Sequence, residues 1–415
     1  MNKTPEELYE EREKRVEAAI ALQTPDRVPV MCLWGFFPAK YTGSTFEESM
    51  YDYDMLMKSS MDTMVDFQPD MCDNPFPIRY LGPTLEALDF RQLKWPGHGC
   101  DAMSTYQYVE GEYMKADEYD AFLFDPSGFM MRMYWPRVSG ALESFRDLPP
   151  MVSIISYYMG LMAFSAFDSP EIEAALEALL KAAKEARRIQ SGAIAYATKM
   201  QTLGFPQQFG GLAQAPFDTL SDFFRGTKGA MLDMFRRPDK VLEACEKLLP
   251  IMLESGLGAG KLGHRRVFIP IHKGLDGFMS PEQFNTFFWP TLRRLIVGLI
   301  EAGQTPLVLW EGDCTSRLET IADIPAGKAV YWFERTDIFK AKEILGKTVC
   351  IRGNVPLSTL STGTPDDVKA YCKELIDVVG KDGGFIMDAS TVLDDARPEN
   401  VWAMIEFTKE YGVYG

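Results

Sequence analysis

The sequence lacks several features that would each point to a particular class of protein. Its 43 Lys and Arg are outnumbered by 59 Asp and Glu, for a net charge of −16, and they form no basic cluster. This argues against nucleic acid or an anionic membrane surface as a partner. The seven cysteines are odd in number and include no CxxC pair, and the charged first twenty residues contain no apolar signal-peptide core. We therefore expect a cytoplasmic protein without a disulfide framework.

Long apolar runs and phosphate-binding loops are also missing. One stretch, 151–167, is free of charge, but it has only 17 residues and includes three Ser and two Tyr. It is more typical of a buried or pocket-lining element than of a membrane span, so no membrane partner is expected. The glycine-rich segment 255–263 follows a helical pattern and precedes a strand, which is the wrong order for a nucleotide loop.

The C-terminal half alternates helical patterns with short apolar runs. We predict helices near 169–188, 228–259, 281–302, 316–323, 336–346, 365–379 and 398–411, and strands at 267–272, 306–311, 329–334, 349–354 and 384–388. With a further strand at 27–34, this pattern predicts an α/β fold, a (βα)8 TIM barrel, as a single domain over 1–415. A capping box at Thr4–Glu7 begins a helical extension over 1–26. For 35–150 we expect short strands and long loops at the barrel mouth.

Polar residues follow each predicted strand, where the chemistry of such barrels is found. Glu311 comes directly after an apolar LVLW run and should be poorly solvated, which is unfavourable for a carboxylate without a partner. We select Glu311, His272 and Asp388 as candidate catalytic residues. The candidates for substrate binding are His98, Trp34, Phe37, Asn354, Arg352 and Glu334.

Each candidate also has a structural interpretation. His272 could be an ordinary structural hydrogen-bonding group, and Asp313 could only cap the following helix. Cys314 is by default a small buried hydrophobic residue, and the aromatic side chains could simply be core. Glu311, His272 and Cys314 together could hold Zn2+, although the chain contains no HxxxH or HxC motif.

Several stretches resemble the uroporphyrinogen decarboxylase superfamily, which includes cobalamin-dependent methyltransferases. They are RVPV at 27–30, SPEQFNTFFWPTLRRLI at 280–296, WEGDCTSRLE at 310–319, the GNVPLSTLSTGTPDDVKAYCKELI block at 353–376, and the segment 383–412 that begins GGFIMDAS. The resemblance is densest from about residue 266 onward. It implies a (βα)8 barrel and a small-molecule or corrinoid-linked reaction.

The chain departs from both branches of that superfamily. The decarboxylases carry an arginine-rich MRQAGRY segment after the first strand, whereas this chain has CLWGFFPAKY with only Lys40. The methyltransferases hold zinc with a His-x-Cys pair and a later Cys. The corresponding positions here are Leu309, Glu311 and a residue near Ser390 or Thr391. Oxygen ligands in place of thiolates suit activation of an ether or phenolate oxygen.

We therefore expect an enzyme of the O-demethylase type. It would move a methyl group from a small, methoxylated aromatic donor to a corrinoid held on a partner protein, with Zn2+ as a second cofactor. Two alternatives stay open, namely a decarboxylase or lyase that holds a carboxylate with Arg352 or Arg335, and a non-catalytic binding barrel. The sequence does not determine the oligomeric state, and a homodimer is compatible with it.

Overall fold

The protein is described here from a computed structural model that covers residues 3–261 and 263–415. Within these residues, nine strands form two sheets. A small sheet in the order β2-β1-β3 contains β1 (Leu93–Pro96), β2 (Gly99–Cys100) and β3 (Gln107–Tyr108). The main sheet is parallel and runs in chain order through β4 (Gly211–Leu212), β5 (Arg266–Ile271), β6 (Thr305–Trp310), β7 (Val330–Phe333), β8 (Cys350–Arg352) and β9 (Phe385–Ile386).

Two single-bridge positions close this sheet into a barrel. Val30 pairs in parallel with Met387, just beyond β9, and Cys72 pairs in parallel with Gln207, just before β4. The amide of Asp70 donates to the carbonyl of Val30 at 2.8 Å and joins these two segments. Eight strand positions therefore surround one axis, and the predicted (βα)8 barrel is confirmed.

Helices occupy most of the remaining chain. Before residue 150 the α-helices are Pro5–Ile20, Phe37–Thr42, Phe46–Tyr51, Tyr53–Phe67, Phe76–Arg79, Gly82–Ala87, Tyr119–Phe124, Pro126–Phe129 and Trp135–Val138. After it they are Pro170–Thr202, Pro216–Thr219, Gly226–Arg236, Pro238–Lys261, Pro281–Gln283, Trp289–Glu301, Leu318–Ile321, Ile338–Leu345, Leu357–Thr362, Pro365–Val378 and Pro398–Tyr411.

Shorter helical turns of other types interrupt this series. Three turns are π-helical, Met130–Tyr134, Leu220–Arg225 and Phe284–Phe288, and four are 3-10 turns, Gly140–Asp147, Met151–Ile155, Gly160–Phe167 and Thr315–Arg317.

The N-terminal helix closes the floor of the barrel. It begins at the predicted capping box, where the Thr4 hydroxyl accepts from the amide of Glu7 and the Glu7 carboxylate accepts from the amide of Thr4. Its Val16, Ala19 and Ile20 pack into one buried cluster with interior side chains of six barrel strands: Met31, Met71, Leu307, Val330, Cys350 and Ile386. This leaves the opposite end of the barrel, at the carboxyl ends of the strands, for a site.

Strand alternation sets which side chains face the barrel axis. Leu33, Leu309 and Trp332 come from three different strands and form one buried cluster, so they point inward. Because side chains alternate along a strand, Glu311 and Glu334, two residues further on, also point toward the axis. The core of the sheet thus continues upward into a polar mouth.

Of two expectations for the N-terminal half, one holds in part and the other was wrong. The region 35–150 contains the expected short strands, β1 to β3, but most of its regular structure is short helices, several of which pack against the long helix Pro170–Thr202. The uncharged stretch 151–167 is largely exposed rather than buried, with Ile155 and Tyr158 at 86% and 75%. Among the helices that the structure describes, none is long and apolar enough to cross a membrane.

Candidate functional site

His272 lies at the centre of one half of the barrel mouth. It follows β5, and its Nδ1 is 2.5 Å from Oδ2 of Asp222. Its Nε2 is 3.5 Å from Oε2 of Glu311, which follows the neighbouring strand β6. Lys273 reaches the other oxygen of Asp222 at 3.4 Å. The β5–β6 register pairs Ile271 with Trp310, so His272 and Glu311 are the next residues of each strand. We call this group, with Asp218 and Glu334, the His272 arc.

Two aspartates support His272 from a helical turn that follows β4. Asp218 is buried and accepts the backbone amides of His272 and Lys273, both at 2.9 Å. Asp222 lies four residues later on the π-helical turn Leu220–Arg225. Our sequence analysis missed both residues because it did not identify β4. The available signal was the spacing of two aspartates by four, which places both on one face of a helix.

The charges around His272 favour its protonated form. Burial alone would lower its pKa, but the hydrogen bond to Asp222 and the charges of Asp218, Glu311 and Asp222 together raise the pKa to about 9. Burial and the neighbouring carboxylates Glu334 and Asp222 raise the pKa of Glu311 above its usual range. The arc therefore holds an imidazolium beside a carboxyl group at neutral pH.

A second cluster lies on the strands of the opposite half of the barrel. Arg352, at the end of β8, donates from Nε to Oδ2 of Asp388 at 2.7 Å and from Nη2 to Gln208 at 2.8 Å. Its guanidinium carbon lies 4.1 Å from the ring centroid of Trp332. Asp388 also accepts the amide of Ala389, and burial raises its pKa to about 7. We call Arg352 and Asp388, with Asp73 and Arg79, the Arg352 arc.

The three candidate catalytic residues do not form one contact group. Glu311 and His272 are together, but Asp388 is fully buried and its hydrogen bonds go to Arg352 and Ala389. The physical reason is that Arg352, on the adjacent strand, offers a buried carboxylate the charged partner it needs.

The zinc ligand set expected from the sequence is also not assembled. Cys314 is buried, its Sγ lies 3.3 Å from the hydroxyl of Thr336, and burial raises the pKa of its thiol to about 12. Within 3–261 and 263–415 no three His, Cys, Asp or Glu side chains converge in the manner of metal ligands. The nitrogen of His272 that does not face Glu311 is engaged by Asp222.

The remaining predicted binding residues are divided between the His272 arc, the core and the surface. Glu334 points into the His272 arc, whereas the side chain of Asn354 is held by the hydroxyl of Tyr371 at 3.0 Å. Phe37 is buried in an aromatic cluster with Trp34 and Phe67. His98 lies in an exposed turn and stacks on Trp95, with 4.1 Å between ring centroids.

Asp313 caps the helical turn that follows it, as its structural interpretation predicts. Its Oδ1 accepts both the amide, at 2.8 Å, and the hydroxyl, at 2.6 Å, of Thr315, at the start of a 3-10 turn.

Comparison with known proteins identifies the family. The model of the uroporphyrinogen decarboxylase (URO-D) family matches residues 161–411. A uroporphyrinogen decarboxylase from Chlorobium phaeobacteroides is 25% identical over 186 residues, which cover 43% of this chain and 52% of that protein. One from Chlorobium phaeovibrioides is 29% identical over 137 residues, covering 32% and 38%. The chain thus spans about half, or less, of the length of these curated relatives.

A solved structure extends the similarity over nearly the whole chain. A methyltransferase from Methanosarcina mazei superposes with a TM-score of 0.63, covering 96% of this chain and 98% of that one at 16% sequence identity. At this identity the match shows the fold. The family model covers more than half of the chain and includes the whole His272 arc. The chain therefore belongs to the uroporphyrinogen decarboxylase family.

Proposed function

We propose that this protein is a methyltransferase that takes a methyl group from a methoxylated aromatic compound and passes it to a corrinoid on a partner protein. The observation that carries the proposal is the position of His272 between Asp222 and Glu311, where it is protonated at neutral pH. Cleavage of an aryl methyl ether releases a phenolate, and a proton donor at its oxygen lowers the barrier to that step.

The acidity of His272 suits a phenolate leaving group. A phenol such as that of tyrosine has an ordinary pKa of about 10, close to the value of about 9 for His272. Proton transfer from His272 to a phenolate of this basicity is therefore favourable by about one pKa unit. His272 would give the proton on Nε2 to the ether oxygen as the carbon–oxygen bond breaks, while Asp222 stabilises the ring through Nδ1. Water would then reprotonate the imidazole.

The His272 arc is accessible to a corrinoid carried by another protein. The side chains of His272 and Glu311 are 31% and 38% exposed, although both lie beside buried strands. A cobalt(I) corrinoid would supply the nucleophile that accepts the methyl group. In this proposal the corrinoid protein binds at the barrel mouth, and the methyl donor is aromatic.

The residues expected to bind zinc do not fit that ion. Cys314 is held by Thr336, and Asp222 occupies one nitrogen of His272, so the donors around Glu311 do not form a zinc site. Zinc binding stays a prediction, which elemental analysis of the purified protein tests.

The proposal is tested by methyl transfer to free cob(I)alamin. Methoxyarenes are added to the reduced corrinoid, and formation of methylcobalamin is followed by its absorption spectrum. We expect transfer with the native protein and a lower rate with Glu311→Gln, which keeps the shape of the side chain but removes one of the charges that raise the pKa of His272. Equal rates for the two proteins would remove Glu311 from the mechanism.

A decarboxylase is the second candidate, and one observation favours it. The curated relatives named above are uroporphyrinogen decarboxylases, and Arg352 is a buried guanidinium of the kind that can bind a carboxylate. The arginine-rich segment of those enzymes is replaced here by CLWGFFPAKY. Release of carbon dioxide from uroporphyrinogen or an aromatic acid, without any corrinoid, would establish this activity.

A further inference from the structure

The π-helical turn that carries Asp222 is held by a distant part of the chain. The turn is followed by Gly226, whose φ of +70° interrupts the helical path. The last carbonyls of a helix lack partners within it and need donors from elsewhere. The carbonyls of Asp222, Phe223 and Phe224 accept hydrogen bonds from residues 92–114, which we call the clamp. π-helical turns are uncommon and are frequent at functional sites.

Two side chains of the clamp donate to this backbone. Nε2 of Gln92 donates to the carbonyl of Phe223 at 3.0 Å, and the hydroxyl of Tyr108 donates to the carbonyl of Asp222. Gln92 is buried, and its Oε1 accepts the hydroxyl of Tyr134 at 2.9 Å, which fixes the direction of the amide. The ring of Tyr108 meets that of Phe223 edge-on, with 6.0 Å between centroids. Each donor is therefore oriented by a second contact.

The clamp continues along the turn through a backbone bond and an ion pair. The amide of Met114 donates to the carbonyl of Phe224 at 2.7 Å. The buried guanidinium of Arg225 pairs with Glu112, also at 2.7 Å. Four consecutive residues, 222–225, are thus bonded to the clamp, which leaves this part of the turn little freedom to shift.

Such support matters because the charges around Asp222 act on it in different directions. Its Oδ2 lies 2.5 Å from Nδ1 of His272, while Oδ1 lies 3.4 Å from Nζ of Lys273. Burial raises the pKa of Asp218 to about 7, against the influence of His272, and the charge of Asp222 adds to the rise, so the two aspartates repel each other. An aspartate side chain is short, so its carboxylate follows the backbone. A fixed turn therefore selects the position beside His272.

We propose that Gln92 and Tyr108 are positioning residues for Asp222. By holding two carbonyls of the turn, they keep the carboxylate in line with Nδ1 of His272. Their effect on methyl transfer rests on the proposed function. Groups that support a reacting side chain must hold it to within about 0.5 Å. The clamp lies outside the residues that match the family model, 161–411, whereas the turn lies inside them.

NMR of the full chain labelled with 15N-histidine tests the inference without corrinoid or methyl donor. The chain has three histidines, so His98→Gln and His264→Gln assign the ring signals. A proton in a short, charged N–H···O bond resonates downfield of ordinary ring N–H protons. We expect such a signal from Nδ1 of His272, which is 2.5 Å from Asp222, and an upfield shift of it in Asp222→Asn.

Tyr108→Phe and Gln92→Met each remove one donor to the turn and keep the approximate shape of the side chain. Each should move the Nδ1 signal of His272 upfield or broaden it, and the double variant should do so most. Tyr113→Phe is the matched control, because the Tyr113 hydroxyl donates to the carbonyl of Val109 within the clamp itself, at 2.8 Å. This variant should leave the signal unchanged.

Methyl-transfer kinetics separate positioning from substrate binding. We expect kcat to fall about tenfold in each single variant and about 100-fold in the double variant, because a misplacement of about 1 Å can cost that much. KM for the methyl donor should not change, since neither side chain is proposed to contact it. A rise in KM with kcat unchanged would overturn the inference.

The spectrum also decides between positioning and a merely structural role. An unchanged His272 signal in Tyr108→Phe would overturn the inference, and so would an equal shift in Tyr113→Phe. If Gln92→Met does not fold, Tyr108→Phe decides alone, because Tyr108 is 42% exposed and loses only its hydroxyl.

The two proposals fail in different ways. If the variants move the His272 signal but the native protein transfers no methyl group to cob(I)alamin, the proposed function is wrong and the positioning role stands. If methyl transfer occurs and both the signal and kcat are unchanged in the variants, the proposed function stands and the positioning role is wrong.

Discussion

The two arcs of the barrel mouth contain similar charged groups in different surroundings. In the His272 arc the imidazole and Glu311 are each about one-third exposed, at 31% and 38%. In the Arg352 arc the paired guanidinium and carboxylate are 1% and 0% exposed. A partly solvated acid can exchange protons with water, whereas a buried ion pair has a fixed geometry and depends on both partners. The difference in exposure favours the His272 arc as the place for the proposed proton transfer and gives the Arg352 arc a fixed geometry.

The largest expected effect is on the rate in the His272 arc. His272→Gln should reduce methyl transfer by about 10²–10⁴-fold, because it removes the general acid. The measurement is the rate of methylcobalamin formation at a saturating concentration of the methyl donor. His264→Gln is the matched control, since His264 precedes the same strand, β5, at the opposite end of the barrel. Equal losses in both variants would contradict a specific role for His272.

The largest expected effect on stability is in the Arg352 arc. Arg352→Met should lower the free energy of unfolding by about 3–5 kcal/mol, because it leaves Asp388 buried without its cation. Urea denaturation measures this. The double variant Arg352→Met/Asp388→Asn should recover part of the loss. A single variant as stable as the native protein would show that Asp388 is already protonated at neutral pH.

A pH titration of stability and of methyl transfer tests the protonation state of His272. The folded-state pKa of His272, about 9, lies above its ordinary value of 6.5, so its stabilising contribution is complete below about pH 6.5 and is lost as the pH rises through 9. Methyl transfer should fall with the same apparent pKa.

Asp222→Asn tests the origin of that pKa. It removes the charged hydrogen-bond partner at Nδ1 and should move the fall in rate to lower pH. An unchanged profile in this variant would contradict the role of Asp222.

The smallest effect is expected at Cys314, which neither arc uses. Cys314→Ala should leave the rate and the zinc content of the protein unchanged and lower the free energy of unfolding by about 1 kcal/mol, as a small change in a packed core does. The methyl-transfer assay, metal analysis and urea denaturation measure these three quantities. A loss of bound zinc would restore Cys314 as a ligand.

Much of the barrel could be predicted from the sequence because its strands are short apolar runs between capped helices. The strands after residue 265 were all found, and Glu311 and His272 were selected correctly as neighbours because each follows such a run. The segments around Cys72 and β4 are only a few residues long and were missed. Without β4, the helical turn that carries Asp218 and Asp222 had no place in the site.

The sequence by itself determined the alternation of helix and strand, and with it which residues end each strand. That information is local, because it depends on hydrophobic period and capping within a few residues. Only the tertiary structure decided which strand-end residues share an arc. Asp388 faces Arg352 rather than His272, and Asp222 reaches His272 across 50 residues of chain. Partner choice among buried charges depends on barrel closure and desolvation, which no single segment encodes.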